Sequence, residues 1–229
     1  EQREAEKLQA IKNKLSEQDK QKIVAQTAAL KQRQNQQDDV EILPKVGRAD
    51  IPADLAIPHG KNSKTGAGNI TSYDQGTNGL VYEQVVIDLP QLDDDLLDVL
   101  PYYTSFITEL GCADKSYREM QAWQSSVSGG LHAFFTIRGG IDDVQQTKSH
   151  LVLSGKALAR NHRPFNELLQ ISLEKVRFDE LGRIRELMAQ KRTRREQSVT
   201  GQGHGLAMTA ASSGMSPAAA LSHRLSGLA

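Results

Sequence analysis

Apolar side chains are few along the first 37 residues, and those present fall in thin stripes at helical spacing. Leu8, Ile11 and Leu15 form one stripe. Ile23 and Leu30, with Val24 beside them and the half-polar Thr27 between, form a second. Glu, Lys, Gln and Ala dominate, and neither Gly nor Pro occurs, so the stretch is expected to be helical throughout. Ser16 marks the start of a second helix, with Asp19 standing where a capping box puts Glu or Gln. Stripes this narrow, with no persistent heptad, predict helices lying across another surface rather than a free coiled coil.

From residue 38 to 68 the pattern dissolves. Pro44, Pro52 and Pro58 punctuate the stretch, Gly47, Gly60, Gly66 and Gly68 loosen it, and residues 61–66 read as an exposed loop. Its glycines and lysine do not meet the phosphate-loop spacing. Strand-like patterning begins at Asn69. Ile70 to Gln75 predicts one strand, Asn78-Gly79 is a strong hairpin signal, and Leu80 to Leu89 predicts the returning strand, with Val81, Val85, Ile87 and Leu89 on one face. Pro90 ends that strand. The triple acid Asp93-Asp94-Asp95 suits the exposed amides of a helix start and reads as that before it reads as a cation site.

Val99, Tyr103, Phe106, Ile107 and Leu110 recur at helical spacing and predict a buried face closed by Gly111. Ser116 starts a shorter helix carrying Met120 and Trp123, which Gly129-Gly130 ends. Leu131 to Arg138 and His150 to Ala159 predict two strands of a sheet interior, joined by a polar loop around Asp142-Asp143. Asn161 is positioned to cap a helix with a broad stripe of Phe165, Leu168, Leu169, Ser172, Leu173 and Val176. Another helix runs from Phe178 to about Thr200 through Leu181, Ile184, Leu187 and Met188, then turns basic at Lys191, Arg192, Arg194 and Arg195. Residues 201–205 predict a turn or kink, and Ser216-Pro217 starts a last helix that Gly227 stops. Strand pairs alternate with helix blocks, which predicts an α+β domain: a mainly antiparallel sheet with helices on one face, preceded by a helical linker.

Composition narrows the chemistry. At 229 residues, 38% apolar and 24% charged, the chain can bury a core. Lys+Arg and Asp+Glu balance at 28 each, so no global field draws it to nucleic acid or an anionic membrane, and the basic run reads as solvated or paired with acids. No apolar run approaches the roughly 20 residues that span a bilayer. Cys112 is the only cysteine, which excludes an intrachain disulfide and favours a reducing compartment such as the cytoplasm or an organelle matrix. Its first reading is a small buried side chain. The six histidines, His59, His132, His150, His162, His204 and His223, lie too far apart for the paired-imidazole spacing of a zinc-binding helix.

The order of elements, with the words Thr77-Asn78-Gly79-Leu80-Val81-Tyr82, Ser154-Gly155-Lys156-Ala157-Leu158 and Ser216-Pro217-Ala218-Ala219-Ala220-Leu221, resembles the presequence-protease branch of the insulinase-type (pitrilysin) zinc metallopeptidases. It is similar there to the third of four homologous domains, a processing-peptidase-like half-domain, preceded by the end of the helical hairpin joining the two halves. The resemblance implies three parts: a hinge segment over residues 1–37, an extended linker over 38–68, and a non-catalytic α+β domain over 69–229, cut short before its last strand. The start at Glu1 rather than Met carries the same expectation of an excised segment. The family's H-x-x-E-H motif corresponds to the helix at 97–110, and registration on Gly111 puts Tyr102, Ser105 and Phe106 at the degenerate positions of His, Glu and His. The third ligand falls on the helix containing Glu186. The resemblance therefore implies no catalytic, cofactor or metal residue in this segment, the zinc belonging to the larger protein.

The expected function is a non-catalytic structural domain forming hinge and chamber wall in a zinc-dependent peptide-degrading enzyme. Its expected partners are the N-terminal and C-terminal domains of the same polypeptide and a peptide substrate in the larger protein, with no nucleic acid and no membrane. Self-association through truncated edges is a further expectation. Two other readings stand beside this one: a stand-alone interaction module using the charged helices, and an enzyme using Cys112 with His132 or His150.

Overall fold

A computed structural model describes residues 2–66 and 68–228, which divide into two compact units, Glu1–Tyr73 and Asp74–Ala229. In the first unit, α1 (Gln2–Lys12) and α2 (Glu17–Asn35) are followed by short 3-10 turns at Val40–Ile42 and Arg48–Asp50. Ser16 caps α2 as the sequence predicts: the Asp19 amide donates to Ser16 Oγ at 3.2 Å, and the Ser16 amide donates to Asp19 Oδ2 at 3.1 Å. Asp19 thus closes a capping box with a side chain one methylene shorter than usual, and those bonds from Ser16 hold its carboxyl below the ordinary range. The stripe residues Leu8, Ile11, Ile23, Val24 and Leu30 are all exposed.

Residues 61–66 correct the expectation of a loop. Lys61–Thr65 is a strand, β1, paired antiparallel with β2 (Gly68–Ser72), from Lys61 opposite Ser72 to Thr65 opposite Gly68. Polar side chains occupy both faces, so no hydrophobic alternation betrays this hairpin, and cross-strand bonds such as Thr71 Oγ1 to Asn62 Oδ1 at 2.8 Å hold it instead. The predicted strand 70–75 accordingly ends at Ser72.

The second unit is built on a three-stranded antiparallel sheet in the order β3-β5-β4, where β3 is Leu80–Asp88, β4 Leu131–Gly139 and β5 Thr147–Leu158. The turn predicted at Asn78-Gly79 is present, with both residues at positive φ (50° and 78°) and the Leu80 amide donating to Thr77 O at 3.1 Å. It does not join β2 to β3, however. Gly79 O accepts from the Ala159 amide at 2.9 Å, and β3 runs along β5, Leu80 opposite Leu158 and Asp88 opposite His150. The reason is burial: the apolar face of β3 gains cover only beside the strand that carries Leu153 and Ala157.

Odd-numbered residues of the three strands face the helices, where Leu131, Leu151, Leu153 and Ala157 are buried. On the opposite face Tyr82, Val86, Phe134 and Leu158 are exposed. Helix α3 (Asp94–Phe106) starts on its cap Asp93, which accepts from the Leu96 amide at 2.9 Å. Its buried stripe is Leu100, Thr104 and Phe106, continued by Ile107 and Leu110, whereas Val99, expected on that face, is exposed. Thr104 can be buried because its hydroxyl donates to Leu100 O, so a polar residue lies on the core face of the helix. Helix α4 (Tyr117–Val127) begins on a full capping box between Ser116 and Glu119. Replacing Ser116 by Ala is expected to cost about 1 kcal/mol, read as a fall in the urea midpoint at unchanged denaturant slope.

Helix α5 (His162–Glu174) presses Phe165, Leu168 and Leu169 onto the sheet, with Cys112, Met120 and Leu131 completing the core. Asn161 precedes it, but its side chain makes no cap; it donates to Val127 O at 3.3 Å and ties the helix start to the end of α4. Helix α6 (Leu181–Gly201) buries only Leu187 of its predicted apolar residues. The expected kink lies at Gln202, where α7 (Gly203–Ser212) takes over. Ser216 caps α8 (Pro217–Ser226), accepting from the Ala219 amide at 3.1 Å, and Gly227 ends it. No helix among the described residues is long and apolar enough to cross a membrane.

Candidate functional site

In the second unit a cleft of about 1280 Å³ is bounded by α3, β4, α6 and the end of α8. From α3 it receives Pro101, Tyr102 and Ser105, from β4 Ala133, Phe134 and Phe135, and from α6 the basic run. Pro101 sits inside α3 and has no amide hydrogen. Its carbonyl accepts from Ser105 Oγ at 2.6 Å and from Lys191 Nζ at 2.7 Å. Lys191 also donates to Ser105 Oγ at 2.8 Å and stands 5.0 Å from the centre of the Tyr102 ring. One ammonium is therefore held by a carbonyl, a hydroxyl and an aromatic face at once, which compensates its loss of water.

Of the three positions carried by the resemblance, the fold brings two together. Tyr102 and Ser105 gather around Lys191, while Phe106 packs elsewhere on the same helix, buried with Leu110 and the α6 residue Leu187 and 6.2 Å edge-on from Tyr102. Glu186 is exposed and pairs with Arg183 at 3.4 Å. Zinc, the ion the resemblance implies for the larger protein, does not suit this donor set. Where the resemblance would put imidazole and carboxylate stand a phenol, a hydroxyl and a phenyl ring, and the Lys191 ammonium already lies against the first two. Among the described residues no three of His, Cys, Asp and Glu gather as a metal would require.

The rest of the basic run is divided. Arg192 pairs with Glu196 at 2.8 Å, as expected of a helix surface. Arg195 reaches backbone instead, donating to Ser226 O at 2.9 Å and to Gly227 O. Arg224 on α8 binds Asp94 and Asp98 and holds the Asp98 carboxyl below its usual range. Lys191 and Arg224 were invisible as partners of α3 in the sequence, because 86 and 126 residues separate the bonded pairs Lys191–Ser105 and Arg224–Asp98. The only signal was cationic residues placed where an aligned, acid-starting helix lies opposite.

Burial, and next the charge of Arg195, push the Lys191 ammonium below its ordinary value of 10.5. A lysine depressed in the fold releases its proton there before the unfolded chain does. Between the two values the unfolded state binds more protons, so stability from this group rises with pH. Relative to Lys191→Met, the natural chain is expected to gain stability as pH climbs from neutral toward the ordinary lysine value. Urea midpoints of both proteins across that range measure it, and a constant difference would contradict the burial.

Cys112 offers no nucleophile. It is 1% exposed within the core, and burial, with the Glu180 charge second, pushes its thiol up to about 11, so thiolate is scarce at neutral pH.

The family model described as Peptidase M16-C associated matches residues 1–229. Presequence protease 1, chloroplastic/mitochondrial, from Arabidopsis thaliana is 24% identical over 224 residues, covering 96% of this chain and 21% of that protein. The mitochondrial presequence protease of Danio rerio is 27% identical over 98% of this chain and 22% of its own length. That of Yarrowia lipolytica is 26% identical over 94% and 22%. The chain thus spans about a fifth of the length of the curated relatives it matches.

Proposed function

We propose, since this chain belongs to the Peptidase M16-C associated family, that it is a non-catalytic structural domain of a larger zinc-dependent peptide-degrading enzyme. The observation that carries the reading is the Lys191 ammonium fixed between Pro101 O and Ser105 Oγ, where a hydrolytic site of this kind needs a metal and a water. Residues 1–37 serve as part of the hinge, because the exposed stripes at Leu8, Ile11, Ile23 and Leu30 need a surface to lie on. The sheet and cleft of the second unit serve as chamber wall, offering Tyr82, Val86 and Phe134 to the interior. Its partners are the other domains of the same polypeptide and, in the assembled enzyme, the peptide substrate. Neither nucleic acid nor membrane has a part. The relatives carry mitochondrial or chloroplastic in their names, which supports an organelle matrix as the compartment.

The coding sequence around this segment tests the reading. An H-x-x-E-H far upstream in the same frame supports it. A start codon directly before Glu1 together with a stop directly after Ala229 overturns it in favour of a stand-alone module.

A further inference from the structure

Lys191 is half-buried on the wall of the cleft, and the groups that hold it carry no charge. Its Nζ donates to Pro101 O at 2.7 Å and to Ser105 Oγ at 2.8 Å, which uses two of the three protons of an ammonium. The third has no acceptor among the described residues. Ser105 commits its own proton to Pro101 O at 2.6 Å, so when Nζ releases that third proton both of its bonds stay, and Ser105 has no hydrogen left to cover the lone pair. The free amine is therefore already seated.

No carboxylate answers its charge. Of the acids around the same cleft, Asp98 is taken by Arg224 and Glu196 by Arg192. Residues three and four apart share a helix face, so Arg194 and Arg195 stand on the Lys191 side of α6. Arg195 is bound to Ser226 O and Gly227 O, while Arg194 is exposed and has no carboxylate partner among the described residues. A desolvated nitrogen beside a permanent cation is how a lysine becomes a nucleophile near neutral pH. Burial and the Arg195 charge both favour the free amine here. The same cations decide what approaches it: a carbonyl carried on an anionic leaving group.

We infer that Lys191 is an acylation site, whose amine takes a small acyl group from an acyl phosphate received on Arg194. The nitrogen bonds to the carbonyl carbon, the bond from that carbon to the phosphate oxygen breaks, and the phosphate leaves with the electron pair and the proton shed by the nitrogen. An amide and inorganic phosphate result. The amide keeps a single N–H, which cannot serve Pro101 O and Ser105 Oγ together, so acylation loosens α6 from α3. The inference goes beyond the reading above and does not rest on it, since it concerns a modification of this chain and not turnover by a larger enzyme.

The test is acetyl phosphate added at a limiting dose to the 229-residue chain, with acetyl-lysine located over time by peptide mass mapping. Lys191 is expected to be labelled about threefold or more faster than the exposed Lys31, Lys61 and Lys64. Arg194→Gln alters only an exposed side chain and is expected to slow Lys191 about tenfold, while the three exposed lysines keep their rates. With the neutral donor p-nitrophenyl acetate Lys191 is expected to lead in both proteins, which separates the reactivity of the amine from recognition of the phosphate. Labelling of Lys191 level with or behind the exposed lysines overturns the proposal, as does an acetyl phosphate rate that Arg194→Gln leaves unchanged.

Discussion

Replacing Phe165 by Ala is expected to cost about 3–5 kcal/mol and so to remove a large share of the stability of a domain this size. Phe165 has no exposed surface and joins α5 to the sheet at the one place where β5 makes room for it. That room is Gly155. A Cβ there would lie 2.8 Å from Phe165 Cζ and 2.8 Å from Gly130 O, so the glycine is chosen for close approach of a ring and a backbone carbonyl, not for flexibility. The converse change, Gly155→Val, overfills the same space and is expected to destabilise by about 1–3 kcal/mol or more. Because the two residues share one contact, the double variant Phe165→Leu with Gly155→Ala is expected to cost less than the sum of its parts. Urea unfolding monitored at the single tryptophan, Trp123, measures each of these proteins. Strict additivity, or a loss below about 1 kcal/mol for Phe165→Ala, contradicts this packing.

Glu180→Ala is the second large effect, expected at about 2–3 kcal/mol, since removing one acceptor leaves two part-buried donors unpaired. The carboxylate accepts from the Gly111 amide at 2.7 Å and from the Tyr117 amide at 3.1 Å, one oxygen to each. It thereby clamps the end of the α3 segment to the first turn of α4, from the residue that precedes α6. Gly111 again has no space for a side chain: a Cβ would meet Lys115 O at 2.6 Å and Glu180 Oε2 at 2.8 Å. Gly111→Ala is thus expected to displace the same carboxylate and to act through the same loss. Glu180→Gln, which keeps one acceptor oxygen, is expected to fall between. If Gln and Ala variants unfold at the same urea concentration as the natural chain, the clamp is not formed in solution.

The parts of this fold that were legible in the sequence are those governed by local chemistry. Ser16, Ser116 and Ser216 each cap the helix they precede, Asp93 opens α3, and Asn78-Gly79 makes its turn. Strand and helix order in the second unit followed from the periods of Val81–Leu89, Leu131–Arg138 and Phe165–Val176. What was hidden depends on partners distant in sequence. The β1–β2 hairpin is polar on both faces, so its pairing leaves no mark in hydropathy. The partner of β3 was decided by burial against β5, a strand far along the chain with a helix pair and β4 in between. Thr104 lies in the core, its hydroxyl satisfied by one intrahelical hydrogen bond, while the more apolar Val99 is exposed.

The cleft divides the same way. The resemblance singled out Tyr102 and Ser105, but nothing local to that helix announces that Lys191 will be seated against them. The run Lys191–Arg195 read as one solvated patch, whereas its members have different roles. Arg192 is an ordinary surface pair, Arg195 holds the carbonyls that end α8, and Lys191 is fixed beneath Tyr102. Composition could not separate them, since the distinction lies in what each side chain reaches across the cleft.

The proposal that a protein-borne ammonium stands where the resemblance would put a metal is checked by the zinc content of the purified 229-residue chain after saturation with zinc and dialysis. Only traces are expected to remain, and Lys191→Ala is expected not to create a site, because Tyr102, Ser105 and Phe106 still offer no ligand set. Stoichiometric zinc retained by the natural chain and lost on substitution of its own histidines would contradict it.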